Sequence, residues 1–356
     1  MRVAIITYCR REDGHPGGVP KWAWYLKRAL DEAGHECDHF CWRDCPDWHK
    51  YDDEPEYAKA RRLSSWLARQ PRVVGDYACI IVDGFWGRDF PGDAPVTVVC
   101  HGTWAGLAAA CGGVAPELIA AQGEAYRRFP VVAVSGAAAR QVERYHGARV
   151  AKIIPNGIDL SVFRPAGRRR PNDPPVVLYA GKGYAKGEDL VEQVKARLDD
   201  RVMPREGHSR ASFAKASEPE GRLLRQDQDK LCRIEYLDAS LGMEARAFQR
   251  GDVLVFPSRH EGDSYALKEA LASGLPVVAS AVGTLEDERS REIGEVVAGF
   301  EPADYCAAVE RVLANRGAYQ PRRWAEKHAG FEVFAEQWMR YLDAAAETAG
   351  RPGQAV

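Results

Sequence analysis

Two glutamates, Glu261 and Glu269, stand with seven residues between them in the stretch HEGDSYALKEALASGLPVVAS (260–280). Carboxylates do not hold phosphate, but they accept hydrogen bonds from hydroxyls and so suit the sugar parts of a ligand. The stretch follows the apolar run VLVF (253–256), whose length predicts a buried strand. A helix over 265–273 puts Glu261 in the loop before it and Glu269 just over one turn inside. The two can then reach opposite ends of one elongated ligand. Its phosphates would lie between them, at a helix start whose free N–H groups and dipole favour anions.

Other loops carry residues of the same kind. The glycine-rich GKGYAKG (181–187) brings Lys182 and Lys186, point charges of the sort that hold phosphate oxygens. Gly17 and Gly18 precede a helical pattern and permit close backbone approach there, while His101 follows the apolar run VTVVC (96–100). In open α/β sheets, ligands bind outside the carboxyl ends of strands, where such loops lead into helices. Glutamates for hydroxyls, with lysines and a helix start for phosphates, point to a nucleoside diphosphate sugar. The ordinary alternatives are solvated surface acids and lysines and, for His101, a buried, hydrogen-bonded ring.

The elements that must position these groups follow from periodicity. VAII (3–6), ACIIV (78–82), VTVVC and VVAV (131–134) are short continuous apolar runs, as expected of parallel strands covered on both faces. Val19, Trp22, Ala23, Leu26 and Leu30 recur at a helical period, and further helical patterns cover 57–70, 116–128 and 136–145. Proline, glycine and arginine crowd PAGRRRPNDPP (165–175), a linker composition. The rhythm then restarts with VVLYA (176–180), a helix over 187–199, IEYL (234–237), a helix over 243–250, VLVF, PVVAS, EVVAG and a helix over 303–315. The expectation is an α/β protein of two doubly wound, Rossmann-like domains, over 1–165 and 166–330. Residues 203–230 read as a long polar loop, and 322–347 as one amphipathic helical tail.

The bulk numbers agree. With 356 residues, 46% hydrophobic and 28% charged, the composition is that of a soluble globular protein with room for two domains. A formal charge of −2 gives no general attraction to nucleic acid. No stretch approaches a membrane span and the apolar run in MRVAIITYCRR is short for a signal peptide, so a cytoplasmic protein is expected. Nine scattered cysteines fit a reducing compartment. Cys37, Cys41 and Cys45, near His39 and His49, have a C-x3-C-x3-C spacing that matches structural zinc poorly.

At PSRHEGDSYALKEALASGLPVVASAVG (257–283) the chain resembles the retaining GT-B glycosyltransferases of family 4. In that signature Pro-Ser precedes Glu-Gly, the second Glu follows after seven residues, and a Gly-x-Pro-Val-Val-Ala segment leads on. The similarity extends to IIPNGIDLSVFRP (153–165), to Gly17-Gly18 and to the final helix ending near Tyr341. It implies two facing domains in GT-B architecture, the first on the acceptor side and the second binding nucleotide sugar. A C-terminal helix over about 331–347 would pack back on the first. Glu269 would hold the ribose hydroxyls and Glu261 the donor sugar, with the turn Gly262, Asp263, Ser264 and Tyr265 facing sugar and phosphate through its N–H groups. Lys186 matches the diphosphate-binding lysine, Gly17 and Gly18 would approach the diphosphate, and His101 would stand beside donor and acceptor. The implied chemistry is front-side attack, with the departing diphosphate helping to take the acceptor proton and no enzyme nucleophile. Lys182 stands where an arginine is usual, Asp263 adds a carboxylate beside the presumed phosphate, and 203–230 replaces an expected strand and glycine turn.

Expected partners are therefore a nucleotide-sugar donor and a small-molecule, glycan or lipid acceptor, with no nucleic acid, no cofactor and no metal. The basic helix 57–70 could rest on an anionic membrane surface, although a plain amphipathic helix is the simpler reading. Asp227-Gln228-Asp229 has metal-bridging spacing, but no buried strand leads into it. Two rival functions remain open. One is a catalytically silent GT-B-like nucleotide-sugar-binding protein. The other is a serine hydrolase using Ser264, against which seven residues (257–263) intervene where a nucleophile elbow follows its strand directly.

Overall fold

A computed structural model describes residues 1–15, 17–70, 75–167, 172, 174–199, 231–237, 244–288 and 290–349. Segment 203–230, with Asp227 and Asp229, lies outside the described residues, as do residues 168–171 of the linker.

The apolar runs form strands because each is shut off from water on both faces. The first sheet is built by β1 (Arg2–Ile6), α1 (Gly18–Glu32), β2 (Glu36–Phe40), α2 (Glu56–Ala68), β3 (Cys79–Asp83), β4 (Val96–Cys100), α3 (Trp104–Cys111), α4 (Pro116–Arg128), β5 (Val131–Ala133), α5 (Gly136–His146) and β6 (Val150–Ile153). Its strands are all parallel, in the order β2-β1-β3-β4-β5-β6. The second is built by β7 (Val176–Tyr179), α6 (Glu188–Asp199), β8 (Arg233–Tyr236), α7 (Glu244–Phe248), β9 (Val253–Phe256), α8 (Tyr265–Ala272), β10 (Val277–Ser280), β11 (Gly294–Val297) and α9 (Pro302–Ala314). It too is parallel, in the order β11-β10-β9-β7-β8. Both orders reverse direction beside the central strands, which opens a crevice at their carboxyl ends.

Edge positions explain what the apolar pattern left out. β2 (ECDHF) and β6 (VAKI) each have one strand neighbour and keep partly exposed side chains, so neither shows a continuous apolar run. Helix α2 turns Leu63 and Leu67 into the first-sheet core, with Arg62 clamping Glu54 outside. Its apolar face is thus taken up by the fold.

The tail is two helices, α10 (Pro321–His328) and α11 (Phe331–Ala349). Between them Ile158 N–H donates to the Ala329 carbonyl at 2.8 Å, and Phe331 N–H donates to the Ile158 carbonyl at 2.9 Å. This two-residue ladder interrupts the helical hydrogen bonding and turns α11 back onto the first sheet. There Trp338 is fully buried, 6.1 Å from the Trp22 ring and edge-on to Tyr341, whose hydroxyl meets Thr97 Oγ1 at 3.0 Å. Trp338→Ala should therefore destabilise the protein by about 3–5 kcal/mol, the range for emptying a buried aromatic site. Urea unfolding checks this; a loss under 1 kcal/mol would mean that the helix is only lightly attached.

Candidate functional site

The loop 257–264 leaves β9 and feeds α8, and its chemistry depends on how that helix starts. Ser264 caps α8, its Oγ accepting from Leu267 N–H at 3.4 Å. One turn in, Glu269 faces inward, only 2% exposed, and accepts from Lys21 Nζ of α1 at 2.5 Å. Glu261 accepts from Lys186 Nζ at 2.5 Å, and here the lysine side chain keeps 40% of its surface in solvent. Lys186 ends a short 3-10 turn closed by Gly187, whose φ of 76° and close approach to the Pro257 carbonyl both exclude a side chain. Lys182, earlier in the same loop, stays exposed. Each glutamate singled out by spacing thus has a lysine beside it.

Asp263 turns the other way. Its carboxylate is buried and accepts from Asn156 N–H at 2.6 Å, Lys268 Nζ at 2.5 Å and Thr284 Oγ1 at 2.6 Å. Lys268 also donates to the Asn156 carbonyl at 2.7 Å, and Asn156 Nδ2 to the Asp263 carbonyl at 2.9 Å. Burial lowers the Lys268 pKa and the Asp263 charge opposes that. The extra carboxylate foreseen beside a phosphate is therefore spent inside the fold, on the Pro155-Asn156-Gly157 turn.

The first sheet supplies the opposite wall. His101 follows β4; burial drives its pKa down to about 3, so the ring is neutral, and Nε2 is shielded from water without a hydrogen-bond partner. Trp22 stands edge-on to it at 4.6 Å. A Cβ on Gly262 would overlap the His101 carbonyl, so glycine is what lets the two loops meet. His260 Nε2 reaches Gln141 Oε1 of α5 at 3.2 Å across the same seam. Gly17 caps α1, and Gly18 faces Tyr265 with room for an ordinary contact, 3.7 Å from a hypothetical Cβ. Tyr265 stacks on Tyr25 at 6.0 Å and lies 5.5 Å from Lys21 Nζ.

Beside His101 a pocket of about 240 Å³ opens at the carboxyl ends of β3 and β4, lined by Glu56, Asp83, Trp86, Trp104, Tyr126 and His260 among others. Sequence reasoning missed Lys21, Glu56 and Asp83. Asp83 had a signal, a lone acid at the end of CIIV, where ligands approach such sheets. Lys21 had a fainter one, a cation one turn from Gly18 and Tyr25 on their own stripe. No group of three or more His, Cys, Asp or Glu side chains converges among the described residues, and Cys37, Cys41 and Cys45 are free thiols. No helix among these residues is long and apolar enough to cross a membrane.

Two outcomes follow. Lys21→Met strips a buried carboxylate of its cation, which costs about 3–5 kcal/mol when one partner of such a pair is removed; equilibrium unfolding measures it, and no change would mean that Glu269 is solvated. Burial, reinforced by the charge of Glu56, raises Asp83 to about 8. From pH ~4 to that value the native state keeps a proton that the unfolded state has lost, so stability falls as pH rises. Asp83→Asn has no such proton, and its melting temperature should gain on wild type from pH 5 to 8. Parallel calorimetric curves would contradict this.

Known proteins share this layout. Residues 16–162 match the family model described as Glycosyltransferase Family 4, and residues 174–315 that described as Glycosyl transferases group 1. D-inositol 3-phosphate glycosyltransferase of Geodermatophilus obscurus is 34% identical over 60% of this chain and 50% of its own length. The Mycobacterium tuberculosis protein of the same name is 32% identical over 54% and 43%. The chain thus spans about half the length of the curated relatives it matches. Sucrose-phosphate synthase of Thermosynechococcus elongatus superposes with a TM-score of 0.73 at 19% identity, covering 97% of this chain and 99% of the other. HepE of Anabaena, solved with UDP and glucose, gives a TM-score of 0.64 at 13% identity over 97% and 100%. The two parallel sheets are those of the GT-B architecture, and the chain belongs to the family 4 glycosyltransferases.

Proposed function

We propose that this chain transfers a sugar, with retention of anomeric configuration, from a nucleoside diphosphate sugar to a hydroxyl of an acceptor. The observation that carries this is the pairing of Glu261 with Lys186 and Glu269 with Lys21 along one loop and helix start, beside a first-sheet pocket. Relatives named as glycosyltransferases and a fold neighbour holding UDP-glucose support it. On this reading the donor exchanges partners. Ribose hydroxyls take the Glu269 carboxylate from Lys21, the diphosphate takes Lys186 from Glu261, and Glu261 is left to the donor sugar. The anomeric carbon–oxygen bond to the diphosphate breaks as the acceptor oxygen bonds to the same face, and the acceptor proton passes to the departing phosphate oxygen. Stabilising charge on that leaving group is the protein's main task. Lys186 and the N–H groups opening α8 at Ser264 and Tyr265 do this without a metal. His101, neutral and beside the pocket, orients the acceptor. Ser264 holds the α8 N-cap and no described histidine hydrogen-bonds it, which disfavours the hydrolase.

A thermal-shift screen of UDP, GDP, ADP and dTDP sugars tests the reading, since a ligand at 100 times its Kd stabilises by ~2.7 kcal/mol. Glu269→Ala should then lose roughly 1.5–3 kcal/mol of donor affinity, and Lys186→Ala should lower kcat more than it raises donor KM. His101→Ala should slow transfer and spare nucleotide binding. Donor binding with neither transfer nor hydrolysis would identify a silent binder. Loss of turnover on chelation, restored by magnesium or manganese, would overturn the metal-free chemistry.

A further inference from the structure

The first-sheet pocket has a composition that glycosyl transfer alone does not require. Asp83, at the end of β3, and Glu56, at the start of α2, both line it, and Glu56 accepts a hydrogen bond from the Trp86 side chain. Among the described residues the lining contains no lysine or arginine. Its two histidines, His101 and His260, are both driven towards the neutral form by burial. Burial, and after it the charge of Glu56, opposes ionisation of Asp83. A cation bound against both carboxylates relieves both effects. A second feature points independently to a ligand: His101, which lines the pocket, keeps its Nε2 shielded from water without a hydrogen-bond partner. The volume, about 240 Å³, falls below the roughly 300–1,000 Å³ of pockets for drug-sized ligands and suits one ring. Trp104, half-buried, offers a face for such a ring, and His260 joins the pocket to Glu261, its neighbour in the chain.

Resting on the transfer reading above, we infer that the acceptor is a single-ring polyol bearing a protonated amine, an aminosugar or aminocyclitol, whose ammonium lies against Asp83 and Glu56. A ring hydroxyl meets His101 Nε2. Charge-assisted hydrogen bonds are about twice as strong as neutral ones, so a ring with a hydroxyl in place of the amine binds more weakly. A phosphorylated ring finds two acids and no cation. That separates this chain from relatives named for D-inositol 3-phosphate, whose named substrate is an anion.

The test uses the purified chain saturated with UDP, and measures binding of glucosamine, glucose and glucose 6-phosphate, and of an inosamine, myo-inositol and an inositol phosphate, by calorimetry. Transfer to each from the best-stabilising nucleotide sugar is followed by mass spectrometry. Expected is at least about a ten-fold preference for one or both amines over the matching neutral ring, with the phosphates weakest. Asp83→Asn and Glu56→Gln should each remove that preference while their thermal shift with nucleotide sugar stays as in wild type, which also shows that they fold. Equal use of amine and neutral rings, tighter binding of a phosphate, or no binding of either amine to tens of millimolar would overturn the inference while the donor shift persists. Absence of any donor shift in wild type would instead sink the transfer reading, and this one with it.

Discussion

A carboxylate that never meets solvent fixes the geometry of everything around it. Asp263 gathers a backbone N–H from the Asn156 turn, 107 positions upstream, an ammonium from Lys268 in the following helix and a hydroxyl from Thr284. A charge buried to this depth is tolerated only when fully hydrogen-bonded, so none of the three donors is free to wander. The loop that carries Asp263 is thereby held where it enters α8. Glu261 points to Lys186, Ser264 opens α8, and Glu269 is delivered to Lys21. The site's layout depends on one satisfied acid whose carboxylate is turned into the fold.

The two lysine–glutamate pairs are alike in chemistry and unlike in surroundings. Lys21 and Glu269 are 8% and 2% exposed, and little salt or water can screen them. Lys186 is open to solvent, where an ion pair contributes about 0–1 kcal/mol and is readily exchanged. On the proposed function, the phosphate end of an arriving donor meets a partner that lets go easily. The ribose end would then compete with a buried cation supplied by the other sheet, which would couple occupation of that end to how α1 sits against α8. The seam at Gly262 and His101 reinforces this, because no side chain fits between the loops there.

Central strands were legible because burial on both faces writes a continuous apolar run; VAII, VTVVC and VLVF fall within or coincide with β1, β4 and β9. Edge strands β2 and β6 were not, since none of their residues is fully buried. Helix α3, mostly alanine and glycine, offers no amphipathic stripe to read. Periodicity did not show the break at Ala329-Gly330, which is imposed by Ile158, more than 170 positions upstream in sequence; only the family resemblance started a helix near 331. The glutamates and Lys186 stood out through local spacing. Lys21 escaped because its meaning lies in a residue 248 positions away, and Asp263 could be placed near the site but not turned inward. Spacing identifies chemistry; which way a side chain faces is decided by partners that spacing cannot see.

Because α11 completes the first sheet, the order of synthesis and the order of packing disagree. The Thr97–Tyr341 contact joins residues 244 positions apart. At roughly 5–20 residues per second of translation, the apolar surface reserved for Trp338 waits on the order of ten seconds or more for its cover. During that interval β3, β4 and α1 present an unfinished face. The second sheet must form and the chain must cross back before the first is closed. Nascent-chain exposure, more than finished stability, then sets how much of this protein escapes aggregation as it is made.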